Sequence, residues 1–217
     1  MIFGSISYLN LLPFQIFLKR YITHSATKMA LNYRKAVPSK INKNLRLKKI
    51  NAGFISSIES NRYSCTDLGI IANRVVYSVF VIKGEDKIDN ESATSNKLAS
   101  ILKLKGEVII GDKALKYYLE GGDGIDLATA WHNKTALPTV FARLCYNHHG
   151  TLIKQISNKF LKKSIKIPQY ILKKEAQKRG ITPKQLLWYL EHIEYEMNYK
   201  SKQSLKKFLN KAKKSNK

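Results

Sequence analysis

The chain opens with Ile2-Phe3-Gly4-Ser5-Ile6-Ser7-Tyr8-Leu9-Asn10, a short apolar run that stops at a polar tip. Residues 11–18 follow with apolar side chains at helical spacing, and Pro13 suits a first helical turn because its missing N–H group costs nothing there. A polar residue between a strand and a helix N-terminus lies where open α/β sheets bind ligands. This stretch therefore predicts a strand, a helix and a candidate binding position at Asn10.

The same strand-to-helix order recurs outward from this stretch. An apolar run before Ser56 and Ser57 predicts a second strand that ends at a helix start. Asn and hydroxyl groups in residues 90–96 are good N-caps for a helix that follows them, and Asp112 is predicted to cap another helix through Tyr118. Further strands are predicted at 68–71, 75–82, 108–111 and 139–145, with a short helix from Pro38. Strands alternating with helices indicate an α/β fold.

From about residue 151 the pattern turns helical and is predicted to stay so. Thr182 and Gln185 flank Pro183 with the spacing of a capping box. The apolar positions that follow at helical spacing predict one buried stripe, and Ser201 is predicted to start a last helix before a Lys-rich tail. The stripe comprises Leu186, Leu190, Ile193 and Met197.

The charge of the chain is unevenly distributed. The 217 residues carry 39 Lys plus Arg against 15 Asp plus Glu, a net charge of +24. Residues 1–76 have a net charge of +10 and residues 153–217 of +14, whereas residues 77–152 are neutral. The neutral centre predicts a discontinuous domain organisation. Residues 1–77 and 143–217 form one lobe, residues 78–142 a second, and the strands 75–82 and 139–145 cross a hinge.

The excess of basic residues at first suggests a nucleic-acid binder. Only seven of the 39 are Arg, whereas base and phosphate recognition favours the bidentate Arg fork. The lysines are therefore interpreted as solvated helix surfaces. The same positive field could instead concentrate a small anionic substrate.

Two further classes of protein are disfavoured by the sequence. No run approaches the eighteen or so apolar residues of a membrane helix, so no membrane association is predicted. Residues 1–17 lack the early basic group of a secretory signal and are interpreted as mature structure.

The two cysteines, Cys65 and Cys145, are predicted to be reduced thiols in a cytoplasmic protein.

Several motifs together resemble the chorismate dehydratase family, which belongs to the futalosine route to menaquinone. They fall in the family's order over nearly the whole chain. They are Ser7-Tyr8-Leu9-Asn10 with Pro13, residues 53–59, Ser78, Ser92-Ala93-Thr94-Ser95, residues 110–115, Asp126-Leu127 with Trp131, Leu137-Pro138 and Phe141-Ala142. The resemblance implies a fold like periplasmic binding proteins of the second type, with two α/β lobes around a cleft.

The resemblance also implies a reaction and a set of site residues. A hydro-lyase of this family converts chorismate to 3-[(1-carboxyvinyl)oxy]benzoate and water without a cofactor or metal. Asn10 and Ser92 would be catalytic. Substrate contacts would come from Tyr8, Ser56, Ser57, Ser78, Thr94, Ser95 and Trp131. The helix starts at Ser56-Ser57 and at Ser92 to Ser95 would each hold one carboxylate of the substrate, because helix N-termini favour anions.

The sequence offers no evident general base. Asn10 is interpreted as an orienting amide, and Glu59 is expected to lie in a helix that faces away from the site. No histidine pairs with a motif, and the role of His132 is left open. The adjacent His148 and His149 lack the spacing of a metal site. We therefore adopt the hypothesis that the enolpyruvyl carboxylate of the substrate takes the proton.

Other interpretations of the same residues are kept open. One alternative interprets the hydroxyl residues as ordinary helix caps, and Tyr8 and Trp131 as ordinary core aromatics. A solute-binding protein without catalysis shares the predicted fold, and the dihydroxynaphthoate synthase of the same route is a rival enzyme. A nucleic-acid binder is a third class, although no nucleic-acid partner is predicted. The oligomeric state is left open.

Overall fold

The computed structural model describes residues 1–21 and 32–215 as a mixed α/β fold with two β-sheets. The strands are β1 (Ile2–Ser5), β2 (Asn32–Lys35), β3 (Ala52–Ser56), β4 (Ser64–Ala72), β5 (Val79–Ile82), β6 (Glu107–Ile110), β7 (Ile125–Asp126), β8 (Thr139–Tyr146) and β9 (Glu194–Glu196). The helices are α1 (Leu12–Tyr21), α2 (Pro38–Arg46), α3 (Ala93–Leu102), α4 (Gly111–Leu119), α5 (Leu127–Thr135), α6 (Gly150–Leu161), α7 (Gln169–Gln177), α8 (Pro183–Leu190) and α9 (Tyr199–Lys214). Short 3-10 helices span Leu9–Leu11 and Ser57–Arg62.

The larger sheet has the strand order β2-β1-β3-β8-β4-β9. Strand β1 runs parallel to β2 and β3, and β8 runs antiparallel to β3 and β4. Because β1 and β3 are parallel neighbours, the segments that follow them leave the sheet on the same side, at the carboxyl ends of the two strands. Both Asn10 and Ser56 lie at these carboxyl ends.

The smaller sheet has the order β6-β5-β7 with antiparallel pairing, and all of its strands lie within residues 79–126. Strand β8 belongs to the larger sheet over its whole length and spans the predicted boundary between residues 142 and 143. The division of the chain into residues 1–77 with 143–217 and residues 78–142 stays a prediction.

Aromatic side chains form the centre of the core beneath the larger sheet. Phe14 of α1 contacts Phe54 of β3 and Phe160 of α6 edge to face, with ring centroids 5.1 and 5.3 Å apart. All three side chains are at most 4% exposed. This packing fixes α1 and α6 on one face of the sheet and so fixes the segment that precedes α1.

Several local sequence signals are confirmed by the fold. The predicted helices after Pro13 and from Pro38 are α1 and α2, and strand β8 lies where residues 139–145 predict it. Ser92 caps α3 by accepting a hydrogen bond from the Ser95 N–H group. The predicted capping box of α8 is formed by Thr182 and Gln185.

The prediction of a strand over residues 75–82 is wrong for its first half. Only Val79–Ile82 is a strand, because the N–H groups of Val76 and Tyr77 donate to Asp126 Oδ2 at 3.1 and 2.8 Å instead of to a neighbouring strand. Tyr77 adopts the left-handed conformation with φ of 56°. A β-branched run therefore breaks where a distant carboxylate takes its backbone donors.

The prediction of uninterrupted helix after residue 151 is also wrong. Helix α8 ends at Leu190, and residues Glu194–Glu196 form β9 at the edge of the larger sheet, paired with β4. Ile193 and Met197 are buried, as the stripe predicts, but they flank this strand and do not continue the helix. The last helix begins two residues before Ser201, with Asn198 as its N-cap.

Asp112 is not the cap of the helix that it was predicted to start. Helix α4 begins at Gly111, and Ile110 precedes it without a side-chain cap. The Asp112 carboxylate instead accepts a hydrogen bond from the Leu9 N–H group at 3.0 Å. The carboxylate thus connects the two sheet units instead of serving its own helix.

The prediction of two reduced thiols is contradicted by a disulfide between Cys65 and Cys145. The two residues face each other on the adjacent strands β4 and β8, which the sequence separation of 80 residues concealed. Because disulfides are rare in the cytosol, Cys65 and Cys145 no longer support a cytoplasmic location. Among the described residues, no helix is both long enough and apolar enough to cross a membrane.

Candidate active site

A cleft lies between the two sheets and is lined by both. Its polar lining consists of Tyr8, Asn10, Ser56, Ser78, Ser92 and Ser95. Apolar side chains such as Ile6, Phe54 and Phe141 complete the walls. Convergent polar groups in an apolar cavity are the usual form of a small-molecule site. The cavity measures about 60 Å³.

Tyr8 spans the cleft from the segment that follows β1. Its ring packs against Gly111, where a Cβ atom would lie 2.8 Å from Tyr8 Cζ and where φ is 69°, so only glycine fits. Its hydroxyl donates to the carboxylate of Glu91. Burial, followed by the hydrogen bond and the charge of Glu91, raises the pKa of Tyr8. Tyr8 is therefore a hydrogen-bonding neutral phenol at ordinary pH.

Asn10 lies in the first 3-10 helix and is held from the C-terminal part of the chain. Its carbonyl oxygen accepts a hydrogen bond from the Tyr195 hydroxyl at 2.8 Å. The Tyr189 hydroxyl interacts with the Asn10 side chain and lies 2.9 Å from Ser78 Oγ. Burial raises the pKa of Tyr189 despite these two hydrogen bonds. The predicted residues Asn10 and Ser78 thus share one buried tyrosine.

The serines of the cleft are already hydrogen bonded. Asn42 donates to Ser56 Oγ at 2.9 Å and accepts from the Ser56 N–H group at 3.0 Å. Ser92 Oγ donates to Ser95 Oγ at 2.8 Å and accepts from the Ser95 N–H group at 3.1 Å. Because a hydroxyl group rotates, these protons can turn towards a ligand without moving the backbone.

Three predicted contact residues lie away from the cleft lining. Ser57 is fully buried, and its Oγ has no hydrogen-bond partner in the described part of the chain. Thr94 Oγ accepts from the Ile58 N–H group at 3.3 Å and borders, with Trp131, a separate cavity of about 10 Å³. Trp131 donates through Nε1 to Ser204 Oγ at 2.8 Å. Of the nine predicted site residues, the structure brings six together and places these three behind them.

The cleft carries no obvious catalytic acid or base. None of the described residues that line it has a carboxylate, imidazole, amine or guanidinium group. Glu59 lies 3.1 Å from Arg62 and borders a different cavity. His132 lies in α5 with its Nδ1 buried and unpaired within the described part of the chain. Residues 1–21 and 32–215 contain no group of three or more His, Cys, Asp or Glu that could hold a metal ion.

Five residues near the site were not predicted from the sequence to act there. They are Glu91, Asp112, Arg179, Tyr189 and Tyr195. Each acts through a contact with a residue more than 65 positions away, and no local pattern marks such a contact. Tyr189 is buried and Tyr195 is partly buried, which for a tyrosine in an apolar stretch is the ordinary expectation.

The fold and cleft place the chain in the class of periplasmic-binding-protein-like folds. The structure is similar to the protein AF1704 from Archaeoglobus fulgidus, with a TM-score of 0.76 and 12% identity over 99% of this chain and 97% of that one. It is also similar to the periplasmic aliphatic sulphonate binding protein SsuA from Escherichia coli, with a TM-score of 0.55 and 10% identity over 100% and 92% of the two chains. These likenesses confirm the predicted two-lobe α/β fold.

Sequence relatives identify the family within this class. The chain is 49% identical to a chorismate dehydratase from Campylobacter jejuni subsp. jejuni serotype O:23/36 (strain 81-176) over 96% of each protein. Residues 97–214 match a family described as "Menaquinone biosynthesis". The chain belongs to this menaquinone-biosynthesis family, which confirms the resemblance drawn from its motifs.

Proposed function

We propose that this chain is a chorismate dehydratase, a hydro-lyase that converts chorismate to 3-[(1-carboxyvinyl)oxy]benzoate and water. The observation that carries the proposal is the 49% identity to a chorismate dehydratase over almost the full length of both chains. The cleft supports it, because Tyr8, Asn10 and Ser92, which belong to the motifs of that family, line one cavity.

The reaction needs a proton acceptor and help for the departing hydroxide. The proton leaves the ring carbon that bears the ether oxygen, the hydroxyl leaves the adjacent carbon, and the ring becomes aromatic. No described lining residue is a base at neutral pH, since Asn10 is an amide and the pKa of the Tyr8 phenol is raised. We therefore propose that the enolpyruvyl carboxylate of the substrate accepts the proton, within reach of the carbon that its own ether oxygen joins.

The protein would then contribute hydrogen bonds and orientation. Asn10 orients the substrate through its amide, and the hydroxyl of Ser92 turns from Ser95 to a substrate oxygen. Tyr8, Ser56, Ser78 and Ser95 complete the polar contacts, while Ser57, Thr94 and Trp131 would act from behind the lining. Closure of the cleft excludes water and strengthens each of these interactions.

The direct test is incubation of the protein with chorismate while the cyclohexadiene absorbance falls and the aromatic product appears. We expect turnover without added metal or cofactor. Binding of chorismate without turnover would support the non-catalytic solute-binding protein instead. Salt-sensitive DNA retention that chorismate does not affect, together with no turnover, would support the nucleic-acid binder.

The role of Asn10 is tested by Asn10→Ala, with Asn210→Ala on the exposed surface of α9 as the matched control. Removal of one transition-state hydrogen bond typically costs about a hundredfold to a thousandfold in kcat. We expect a loss of that size for Asn10→Ala and none for Asn210→Ala. Equal kcat values for the two variants would exclude Asn10 from the reaction.

The proposed proton acceptor is tested with a chorismate analogue that lacks the enolpyruvyl carboxylate. We expect the analogue to compete with chorismate for the cleft but not to lose water. The Glu91→Gln variant is the companion experiment, because Glu91 is the carboxylate bonded to Tyr8. If the wild type turns over the analogue fully and the Glu91→Gln variant does not, the base is Glu91 and not the carboxylate of the substrate.

The cytoplasmic location stays a prediction. Fractionation of cells that produce the chain, with chorismate turnover followed in each fraction, tests it.

A further inference from the structure

The segment that carries Tyr8 and Asn10 is fixed almost entirely by side chains from distant parts of the chain. Arg179 donates from Nη2 to the Ser7 carbonyl oxygen at 2.6 Å. Asp112 Oδ1 accepts from the Leu9 N–H group at 3.0 Å. With the Tyr195 bond to the Asn10 carbonyl, three of the four residues in Ser7–Asn10 have a backbone group tied in this way.

Arg179 is the centre of these contacts. Its Nε donates to Asp112 Oδ2 at 2.5 Å, and its Nη1 donates to Glu175 Oε2 at 2.6 Å and to the Glu175 carbonyl at 3.1 Å. All three nitrogens of the guanidinium are therefore engaged, and the side chain is only 14% exposed. A planar fork with several donors in fixed directions is specific to arginine, and lysine cannot reproduce it.

The contacts of Arg179 reach both sides of the cleft. Arg179 lies in the turn between α7 and α8, and Ser7 follows β1 of the larger sheet. Asp112 is the second residue of α4, which follows β6 of the smaller sheet, and its neighbour Gly111 is the residue against which the Tyr8 ring packs. Arg179 itself does not line the cleft and so does not touch a ligand there.

The ion pairs of Arg179 with Asp112 and Glu175 also stabilise this arrangement of contacts. The Asp112 and Glu175 side chains are 22% and 21% exposed, so their carboxylates interact with Arg179 in partly desolvated surroundings. Burial raises the pKa of Asp112, whereas the Leu9 N–H group and the Arg179 charge oppose that rise. Loss of Arg179 would leave a half-buried carboxylate with only one of its two oxygens bonded.

We propose that Arg179 is a positioning residue for dehydration, which joins the Ser7–Asn10 segment to Asp112 and so sets Tyr8 and Asn10 against the substrate. This inference rests on the proposed function. Displacement of a reacting group by about 1 Å can cost about a hundredfold in rate. A residue outside the cleft can therefore control the reaction through placement alone.

The test compares Arg179→Lys with Lys184→Gln, an exposed residue of the neighbouring helix α8 that serves as the control. Steady-state turnover of chorismate gives kcat and KM, and thermal unfolding measures the folded fraction. We expect Arg179→Lys to remain folded at the assay temperature, with kcat reduced about tenfold to a hundredfold and KM changed much less. We expect Lys184→Gln to match the wild type.

Hydrogen exchange at the Leu9 amide provides a readout that does not depend on activity. Arg179→Lys frees the Asp112 carboxylate and the Ser7 carbonyl, so the peptide that contains residues 7–11 is expected to exchange at least several times faster than in the wild type. Lys184→Gln is expected to leave this exchange unchanged. Asp112→Asn should reproduce the effect, and the double variant should be no worse than the worse single one.

The outcomes separate this proposal from the proposed function. Unchanged exchange at residues 7–11 in a folded Arg179→Lys protein, or an unchanged kcat, would overturn the positioning role while wild-type turnover upheld the enzyme. A wild type that folds but does not turn over chorismate would overturn the proposed function, and the role of Arg179 in dehydration with it.

Discussion

At the scale of single residues, the site is organised by groups that do no chemistry themselves. Tyr189 is 2% exposed, and its hydroxyl connects Ser78 of the cleft with the Asn10 side chain. Gly111 leaves the space that the Tyr8 ring fills. Each of these residues fixes the position of a predicted site residue, so a change at either one should affect both stability and turnover.

The hydrogen bond between Tyr189 and Ser78 is tested by Tyr189→Phe. The substitution keeps the ring but leaves a buried serine hydroxyl without its partner, which costs about 1–3 kcal/mol. We expect urea denaturation to show a loss of stability in this range. Tyr170→Phe is the control, because that side chain is 72% exposed and should show no loss. A Tyr189→Phe protein as stable as the control would exclude the bond.

At the scale of secondary-structure elements, the junctions between strands and helices create the cleft. Strand β1 leads into the 3-10 helix with Asn10, β3 ends at Ser56, and β6 leads into α4 at Gly111. The helices α7 and α8 act from outside, because the turn between them carries Arg179. Glu175 of α7 completes the ion pair one helical turn before Arg179.

The contribution of Glu175 to the stability of the folded protein should depend on pH. Burial alone would raise its pKa, but the hydrogen bond and charge of Arg179 outweigh burial and hold the pKa below its ordinary value of 4.5. A carboxyl group whose pKa is lowered on folding stabilises the protein above the ordinary pKa, and this stabilisation is lost as the pH falls through the folded pKa.

We therefore expect Glu175→Gln to be less stable than the wild type at pH 7 by about 1 kcal/mol, a value reduced for solvent screening. The difference should shrink as the pH is lowered from about 4.5. Urea unfolding of both proteins at pH 7 and at low pH measures it, with Glu85→Gln in an exposed loop as the control. A stability difference between the two proteins that grows as the pH falls would contradict this prediction.

At the scale of the whole molecule, the smaller sheet is an insertion between two paired strands of the larger sheet, β4 and β8, which a disulfide joins. Cys65 and Cys145 join β4 to β8 with a sequence separation of 80, and the chain between them contains β5, β6 and β7. The cleft therefore lies between a sheet whose central strands are cross-linked and the unit that this cross-link encloses.

The disulfide is expected to stabilise the fold by restricting the unfolded chain. For two cysteines with a sequence separation of 80 the chain-entropy relation gives about 4.5 kcal/mol. We expect dithiothreitol to lower the stability of the wild type by an amount of this order and to leave Cys65→Ala/Cys145→Ala unaffected. Alkylation of the unfolded protein without reductant should find no free thiol. Two alkylated cysteines would disprove the disulfide.

The sequence by itself determined the local signals and the family. The apolar runs predicted β3 and β8, Ser92 and the Thr182–Gln185 box set helix starts, and the order of the motifs identified the family. These features are decided by neighbouring residues, whose conformational preferences and hydrogen bonds act over one or two turns of chain. The resemblance to the family, and not these local signals, implied the six site residues that line the cleft.

Only the tertiary structure decided the features that depend on distant partners. Asp126 takes the N–H groups that a strand at Val76 would have used, and Arg179 meets Asp112 and Ser7 across 67 and 172 positions. Strand β9 has the sequence Glu-Tyr-Glu and pairs with β4 at the edge of the larger sheet. Such contacts depend on which elements pack side by side, and that placement is fixed by burial of the whole core, which no local pattern encodes.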